Sequence, residues 1–493
     1  MARGPIMARS ASAHDFPVTA ASLFRVMTYA PPVTTSNRVT PGLRRAGEHS
    51  RLRRMISSSD FSKPCSRAQR AKKPISERSA ARVHFTRVRT ALAVCIALIP
   101  VYPAAAQTAV STVFSFHYSR TGGFPAGGVV QDSNGNLYGT ASAGGGGADD
   151  GVVFELSPPS VKGRPWVETV LYRFSGGADG STPSANLTLD RATGILYGTA
   201  QYVSGNLTGV VFQLTPPSAP GGTWGFSVIH GFNGGDGGVP QGELILTPTG
   251  ALFGTASLGG AHDAGVSFRL QPPIAQSAIW TYTVLHNFNP STDGGNPVGP
   301  IAADAKGNIY GLTTSDGAYG DGTVYELSPG TQKGQAWQFQ TLHQFSGPDG
   351  SQSFTGLVRR SSDGSLFGGT IFGGSTNLGV VFQLIPPESA SGSWIEQTIY
   401  TFTGHTDGCN PASVYVTARG SIYGTTSGLN CSTGTLFQLD QPTETNSEWL
   451  FNTLASDDSN PVGPLLVGSG GKIYGTDYFG GSSDQGSVYV AAP

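Results

Sequence analysis

The chain has 493 residues, of which 12% are charged and 38% hydrophobic, and it carries 70 glycines. That balance excludes a coiled coil, a highly charged disordered chain and a multi-pass membrane protein, and points to a Gly-rich, aromatic-bearing all-β chain. The formal net charge of −1 hides an asymmetry: residues 1–89 hold 18 Lys+Arg against 4 acidic residues, 90–106 hold no charge, and 107–493 hold 12 against 27. So acidic a body disfavours nucleic acid as a partner, because phosphate binding needs a basic face.

Residues 1–89 show no sustained apolar period and are rich in Arg, Ser, Ala and Pro, so no fold is expected there. An upstream-miscalled start, with translation beginning near Met55 or at a codon read as Val83, explains so long a basic leader; a basic arm for an acidic partner is the alternative. Arg87 and Arg89 then flank an uncharged apolar run at 90–102, followed by Pro103-Ala-Ala-Ala106-Gln107. A positive flank, a short apolar core and an A-x-A exit compose a secretory signal, with cleavage expected between Ala106 and Gln107. The run is shorter than the ~20 residues that span a bilayer.

From about residue 110 the chain repeats. Leu137-Tyr138-Gly139-Thr140 recurs around Tyr197, Phe253, Tyr310, Phe367, Tyr423 and Tyr474, seven copies at steps of 51 to 59 residues. The six tryptophans keep the same interval: Trp166, Trp224, Trp280, Trp337, Trp394 and Trp449. In five units a Phe follows eight residues later, and Tyr172, His230, His286, His343 or Tyr400 precedes that Phe by two. Even spacing in an unbroken strand predicts that Trp, His/Tyr and Phe share one face.

Each unit reads as four short strands separated by turn residues, at 127–131, 136–141, 152–157 and 166–174 in the first. The glycine inside the second strand suggests a close sheet-to-sheet approach. Four strands in seven copies predict a seven-bladed β-propeller. The opening segment 111–116 matches the fourth strand and the closing segment 486–490 the third, so the two should pair and close the ring, hiding both edges. A β-solenoid is the runner-up, but it needs capping units that are not seen.

The recurring G-x-[LI]-[YF]-G-T followed by G-x-V-[FY]-x-L, as in 135–140 with 151–156, resembles the GloVer repeat of bacterial "choice-of-anchor tandem repeat" proteins. The resemblance covers 110–493. It implies export to the cell surface or medium and brings no catalytic role with it. The chain ends at Val490-Ala-Ala-Pro493 without a hydrophobic tail or sorting motif, which favours release or a periplasmic location over anchoring.

Alternating strands place loops on two faces. One should collect the long Gly-rich loops and the loops after each Trp-bearing strand, and it is acidic. It holds Asp179, Asp236, Asp293, Asp349 and Asp407, each in an Asp-Gly pair, with Asp149, Asp150, Asp263, Asp316, Asp321 and Asp484. Asp-Gly has a plain reading as turn chemistry. The functional reading is an oxygen-rich surface for a polyhydroxylated ligand or Ca²⁺, although no Asp-rich calcium loop motif appears. Cys409 and Cys431, the only cysteines after 106, fall in two loops of this face; in an oxidising compartment they read as a disulfide, with two free thiols as the alternative. Interchange of His with Tyr at 172, 230, 286, 343 and 400 points to packing rather than metal ligation.

No G-x-S-x-G, H-E-x-x-H or P-loop occurs. The expectation is an exported, monomeric, non-catalytic binding or scaffold propeller without a cofactor, facing a glycan, a cation or a protein. The competing class is a glycan-active enzyme with paired carboxylates at the channel mouth.

Overall fold

The computed structural model describes residues 108–492 apart from 220, 275–278, 333, 390–391, 432, 445 and 458. The expectations for the leader and for the signal at 90–106 lie outside these residues. The chain forms seven four-stranded antiparallel sheets, the blades of a β-propeller. In the first, Val130–Gln131, Leu137–Ala141, Val152–Ser157 and Val167–Arg173 follow one another from the axis outward. The seventh is completed from the other end of the chain, where Ala109–Ser115 pairs antiparallel with Ser487–Ala492. Phe116 N–H also donates to the Gly486 carbonyl at 3.0 Å, the bond that Phe174 makes to Gly151 in the first blade. The predicted closure is therefore present.

The glycine of the second strand has a different cause from the one its sequence suggests. Gly139, Gly198, Gly254, Gly311, Gly368, Gly424 and Gly475 each lie opposite a third-strand aromatic of their own sheet: Phe154, Phe212, Phe268, Tyr325, Phe382, Phe437 and Tyr489. The ring lies flat across the glycine. A Cβ would stand 2.6 Å from Phe154 Cζ, 2.7 Å from Phe268 Cζ and 2.2 Å from the Tyr325 hydroxyl. The close approach is across one hairpin, not between sheets. Most of these aromatics are fully buried, and the Leu-Tyr-Gly-Thr strands around them are buried along their length.

The outermost strands also depart from simple alternation. In the first blade Phe154 faces Val170 and Val153 faces Tyr172, leaving Leu171 unpaired as a bulge. The same slip recurs in the blades that contain His230, His286, Tyr400 and Ala455, and in the closing strand. A bulge adds one residue and inverts the facing of everything beyond it. Trp and the residue two after it therefore face the preceding blade, while the His/Tyr and Phe beyond the bulge face the following one. Trp224 meets Tyr138 of the blade before, and Phe226 stacks on Tyr172 at 3.9 Å. The expected single aromatic face is really two faces, one for each neighbour.

Near the axis five of the innermost strands are only two residues long, and residues leading into inner strands press against neighbouring blades. A Cβ on Gly128 would lie 2.2 Å from the Pro464 carbonyl, and one on Gly242 2.6 Å from that of Gly299. Thr140 donates its hydroxyl to the Ala185 carbonyl at 3.1 Å, and Thr476 donates to Gly127 at 2.9 Å. We expect Gly254→Ala to destabilise the propeller by about 1–3 kcal/mol, the usual effect of overpacking. Adding Phe268→Leu should recover part of that loss in urea unfolding, because the new methyl meets the ring as well as Leu244.

Candidate functional site

The loops after the outermost strands and those between second and third strands share one face, as predicted. Ser181 bridges to Tyr202, Gly238 to Leu258 and Ser351 to Phe372, each a connection loop lying on the Gly-rich loop of the next blade. The turn that carries each Asp-Gly is built the same way every time. Asp179 accepts from the Ser175 amide (2.8 Å), the Ser175 hydroxyl (2.5 Å) and the Tyr172 hydroxyl (2.9 Å). Asp293 accepts from the Asn289 amide at 3.1 Å and pairs with His286 Nε2 at 2.9 Å. Asp349 accepts from the Ser346 amide at 2.8 Å and pairs with His343 Nε2 at 2.9 Å. Asp236 does the same with Asn233 (2.9 Å) and His230 (3.2 Å). Asp407, which is buried, takes the Thr403 amide at 2.7 Å and the Tyr400 hydroxyl at 3.0 Å.

The His/Tyr set and the Asp set thus form one device. The polar tip of each aromatic reaches beyond the end of its strand and holds the carboxylate that closes the following turn. Burial pushes Asp179 up, but the bonds from Ser175 and Tyr172 prevail and leave it below its ordinary value. Burial pushes the imidazoles of His230, His286 and His343 down, against the pull of their Asp partners. Several Asp residues of the Gly-rich loops are also acceptors: Asp263 takes the Gly259 amide at 3.1 Å and Asp484 the Gly480 amide at 2.8 Å. Asp321 takes the Ser351 hydroxyl at 2.6 Å and Asp316 that of Ser315 at 2.8 Å. Asp149, Asp263, Asp316 and Asp484 all have left-handed φ, between 53° and 63°. Asp150 is raised, first by burial and then by the charges of Asp179 and Asp149.

The turn after the closing strand differs from the five that carry Asp-Gly. There Thr121 stands where they have Asp, and its hydroxyl accepts from the His117 amide at 2.7 Å. Beside it the helical turn Tyr118–Thr121 and the Gly-rich loop border a shallow depression of about 610 Å³, lined by Arg120, Gly145, Gly146, Gly147 and Arg173. Arg173 donates to the carbonyls of Arg120 and Gly145. The sequence signal for this spot was the missing Asp-Gly before residue 122. Cys409 and Cys431 form a disulfide across the fifth-to-sixth blade connection, with Cα atoms 6.1 Å apart.

A second polar group sits at the axis. Glu243 stands alone among Gly128, Asn186, Pro300, Gly356, Ser413 and Pro464, the residues at the matching position of the other inner strands. Asn186 Nδ2 donates to Glu243 Oε2 at 3.1 Å, and Asn186 itself is buried. Burial raises the Glu243 carboxyl to about 7, with the Asn186 bond opposing.

Seven repeated four-stranded units closed by strand exchange between the ends define the chain as a tandem-repeat β-propeller. A profile of the Gloeobacter/Verrucomicrobia repeat matches residues 101–304, 191–437 and 300–493, and the chain belongs to that family. This agrees with the resemblance read from its motifs. No curated protein matches the sequence. Among solved structures it is similar to a candidate 6-phosphogluconolactonase from Bacteroides uniformis, at 13% identity over 67% of this chain and 87% of that one, with a TM-score of 0.43. It is also similar to the extracellular domain of a candidate hybrid two-component system from B. thetaiotaomicron (12%, 77% and 39%, TM-score 0.46). A third similar structure is the calcium form of a Trichoderma reesei Carbohydrate-Active Enzymes Family AA12 protein (13%, 78% and 97%, TM-score 0.38).

Two outcomes follow from this geometry. Because the Glu243 carboxyl lies above its ordinary value in the fold, the stability of the neutral form is complete below about pH 4.5 and is lost as pH rises through about 7. Glu243→Gln should remove that part of the decline, leaving the variant about 1–3 kcal/mol more stable than the parent at pH 8 in denaturant titrations. The disulfide closes a 22-residue separation, so Cys409→Ser with Cys431→Ser should cost on the order of 3 kcal/mol, read as a lower urea midpoint.

Proposed function

We propose that the chain is an exported, non-catalytic binding propeller that engages a glycan through its Gly-rich loop face. The observation that supports this most is the break in that face. Five turns carry an Asp held by its own loop, and the closure seam instead offers Arg120, Arg173 and a run of glycine backbone around a depression. Carboxylate acceptors, guanidinium donors and bare peptide groups on one rigid surface suit a polyhydroxylated ligand, which needs donors and acceptors together. Ca²⁺ is the lesser occupant, because the Asp-Gly carboxylates already accept two or more bonds within their own turns.

A second reading, a glycan-active enzyme, draws support from Asp150 and Asp179, neighbouring carboxyls whose surroundings push them in opposite directions. A glycan array probed with the full chain tests both. Retention of a glycan that weakens about tenfold with Arg120→Ala, or with Asp236→Asn plus Asp293→Asn, is the expected result. No retained glycan overturns the first reading, and release of shortened sugars that stops with Asp150→Asn establishes the second.

A further inference from the structure

Where one outermost strand meets the next, four seams close by stacking. Phe226 lies on Tyr172 at 3.9 Å, Tyr282 on His230 at 3.8 Å, Phe339 on His286 at 4.1 Å and Phe451 on Tyr400 at 4.3 Å. The other three lack this stack: the sixth–seventh and seventh–first seams have Ala455 and Phe114 at the His/Tyr position, whereas the fourth–fifth keeps His343. Glu396 occupies the position of the stacking ring, in the strand Ile395–Thr401, and faces His343 and Asp349.

One His343 ring nitrogen, one Asp349 oxygen and one Glu396 oxygen all lie within 4.8 Å of one another, and all three residues are partly buried. His343 and Asp349 are already fixed 2.9 Å apart, with side chains 20% and 21% exposed, and Thr398 donates to Glu396 Oε1 at 3.2 Å. Two carboxylates therefore face one imidazole at a place that four other seams fill with a ring. Like charges brought together away from water repel unless a cation or a proton lies between them. Burial, with a further push from Asp349, raises Glu396 to about 7, the response of a carboxyl without a counter-ion.

We propose that His343, Asp349 and Glu396 form a divalent transition-metal site that clamps the fourth blade to the fifth. One imidazole nitrogen and two carboxylate oxygens suit Zn²⁺ or a similar borderline ion; Ca²⁺ prefers six to eight oxygens. Bonds of about 2.0–2.2 Å hold tetrahedral ligand atoms about 3.4 Å apart, so the ion would part His343 and Asp349, now 2.9 Å apart, slightly and replace their hydrogen bond. The remaining coordination positions fall to water. The interchange of His with Tyr still marks the other outermost strands as packing positions; Glu168 matches Glu396 in the first blade, but among the described residues only this seam sets such a carboxylate beside a His–Asp pair.

The test is Zn²⁺ titration of the EDTA-treated, dialysed full chain by calorimetry, with Co²⁺ absorption reporting the ligand set. One saturable site and a metal-dependent rise in Tm are expected. His343→Tyr installs the residue that already pairs with Asp at 172 and 400, and Glu396→Phe installs the ring of the other seams, so both variants should keep the fold. Each should weaken binding by at least about tenfold. Absence of saturable binding, or binding equally tight in both variants, overturns the site.

Discussion

The propeller depends on a single extra residue in each outermost strand. A strand without a bulge has one side to offer each neighbouring layer, and its even-spaced aromatics would all point the same way. The bulge at Leu171 and its counterparts lets one strand give Trp and the residue two beyond it to the blade behind, and His/Tyr and Phe to the blade ahead. Every seam is therefore a contact between two halves of neighbouring strands. Phe174, Phe212 and Phe226 pack in one such seam, and Phe402, Phe437 and Phe451 in another.

Inside the seams, packing is set by the aromatic laid over glycine. Because the second strand has no side chain opposite Phe154, the ring lies parallel to the sheet and leaves the blade thin enough to sit beside its neighbour. Toward the axis glycines such as Gly128, Gly242 and Gly356 let backbone meet the backbone of the neighbouring blade. Glu243 and Asn186 are exceptions to that economy. The loop face inherits its order from the strands, since five of its turns are tied back by the His or Tyr near the end of the strand before.

Much of this was legible in the chain. The Leu-Tyr-Gly-Thr markers fixed the second strands, the tryptophan interval fixed the outermost ones, and the matching end segments foretold the closure. The bulge was not legible, because it is a property of pairing between two strands and leaves the composition of either unchanged. The tie between Tyr172 and Asp179 was visible only as two separate lists, one of strand aromatics and one of turn aspartates. Their spacing of six or seven residues acquires meaning once the strand end and the turn are known to fold toward each other. Glu396 was hidden for the same reason, since its significance lies in which blade it faces.

The clasp between Ala109–Ser115 and Ser487–Ala492 also dictates an order of assembly. The first strand to leave the ribosome is the last to find its partner, and it waits while more than 370 residues are made. Until then the nascent product is a crescent with two raw edges, each able to recruit a strand from another copy. Neighbouring repeats can zip locally, but the final bond joins the most distant parts of the domain, and loops of that span close slowly. A chaperone that shields the opening strand would therefore matter more to yield than any change within a finished blade.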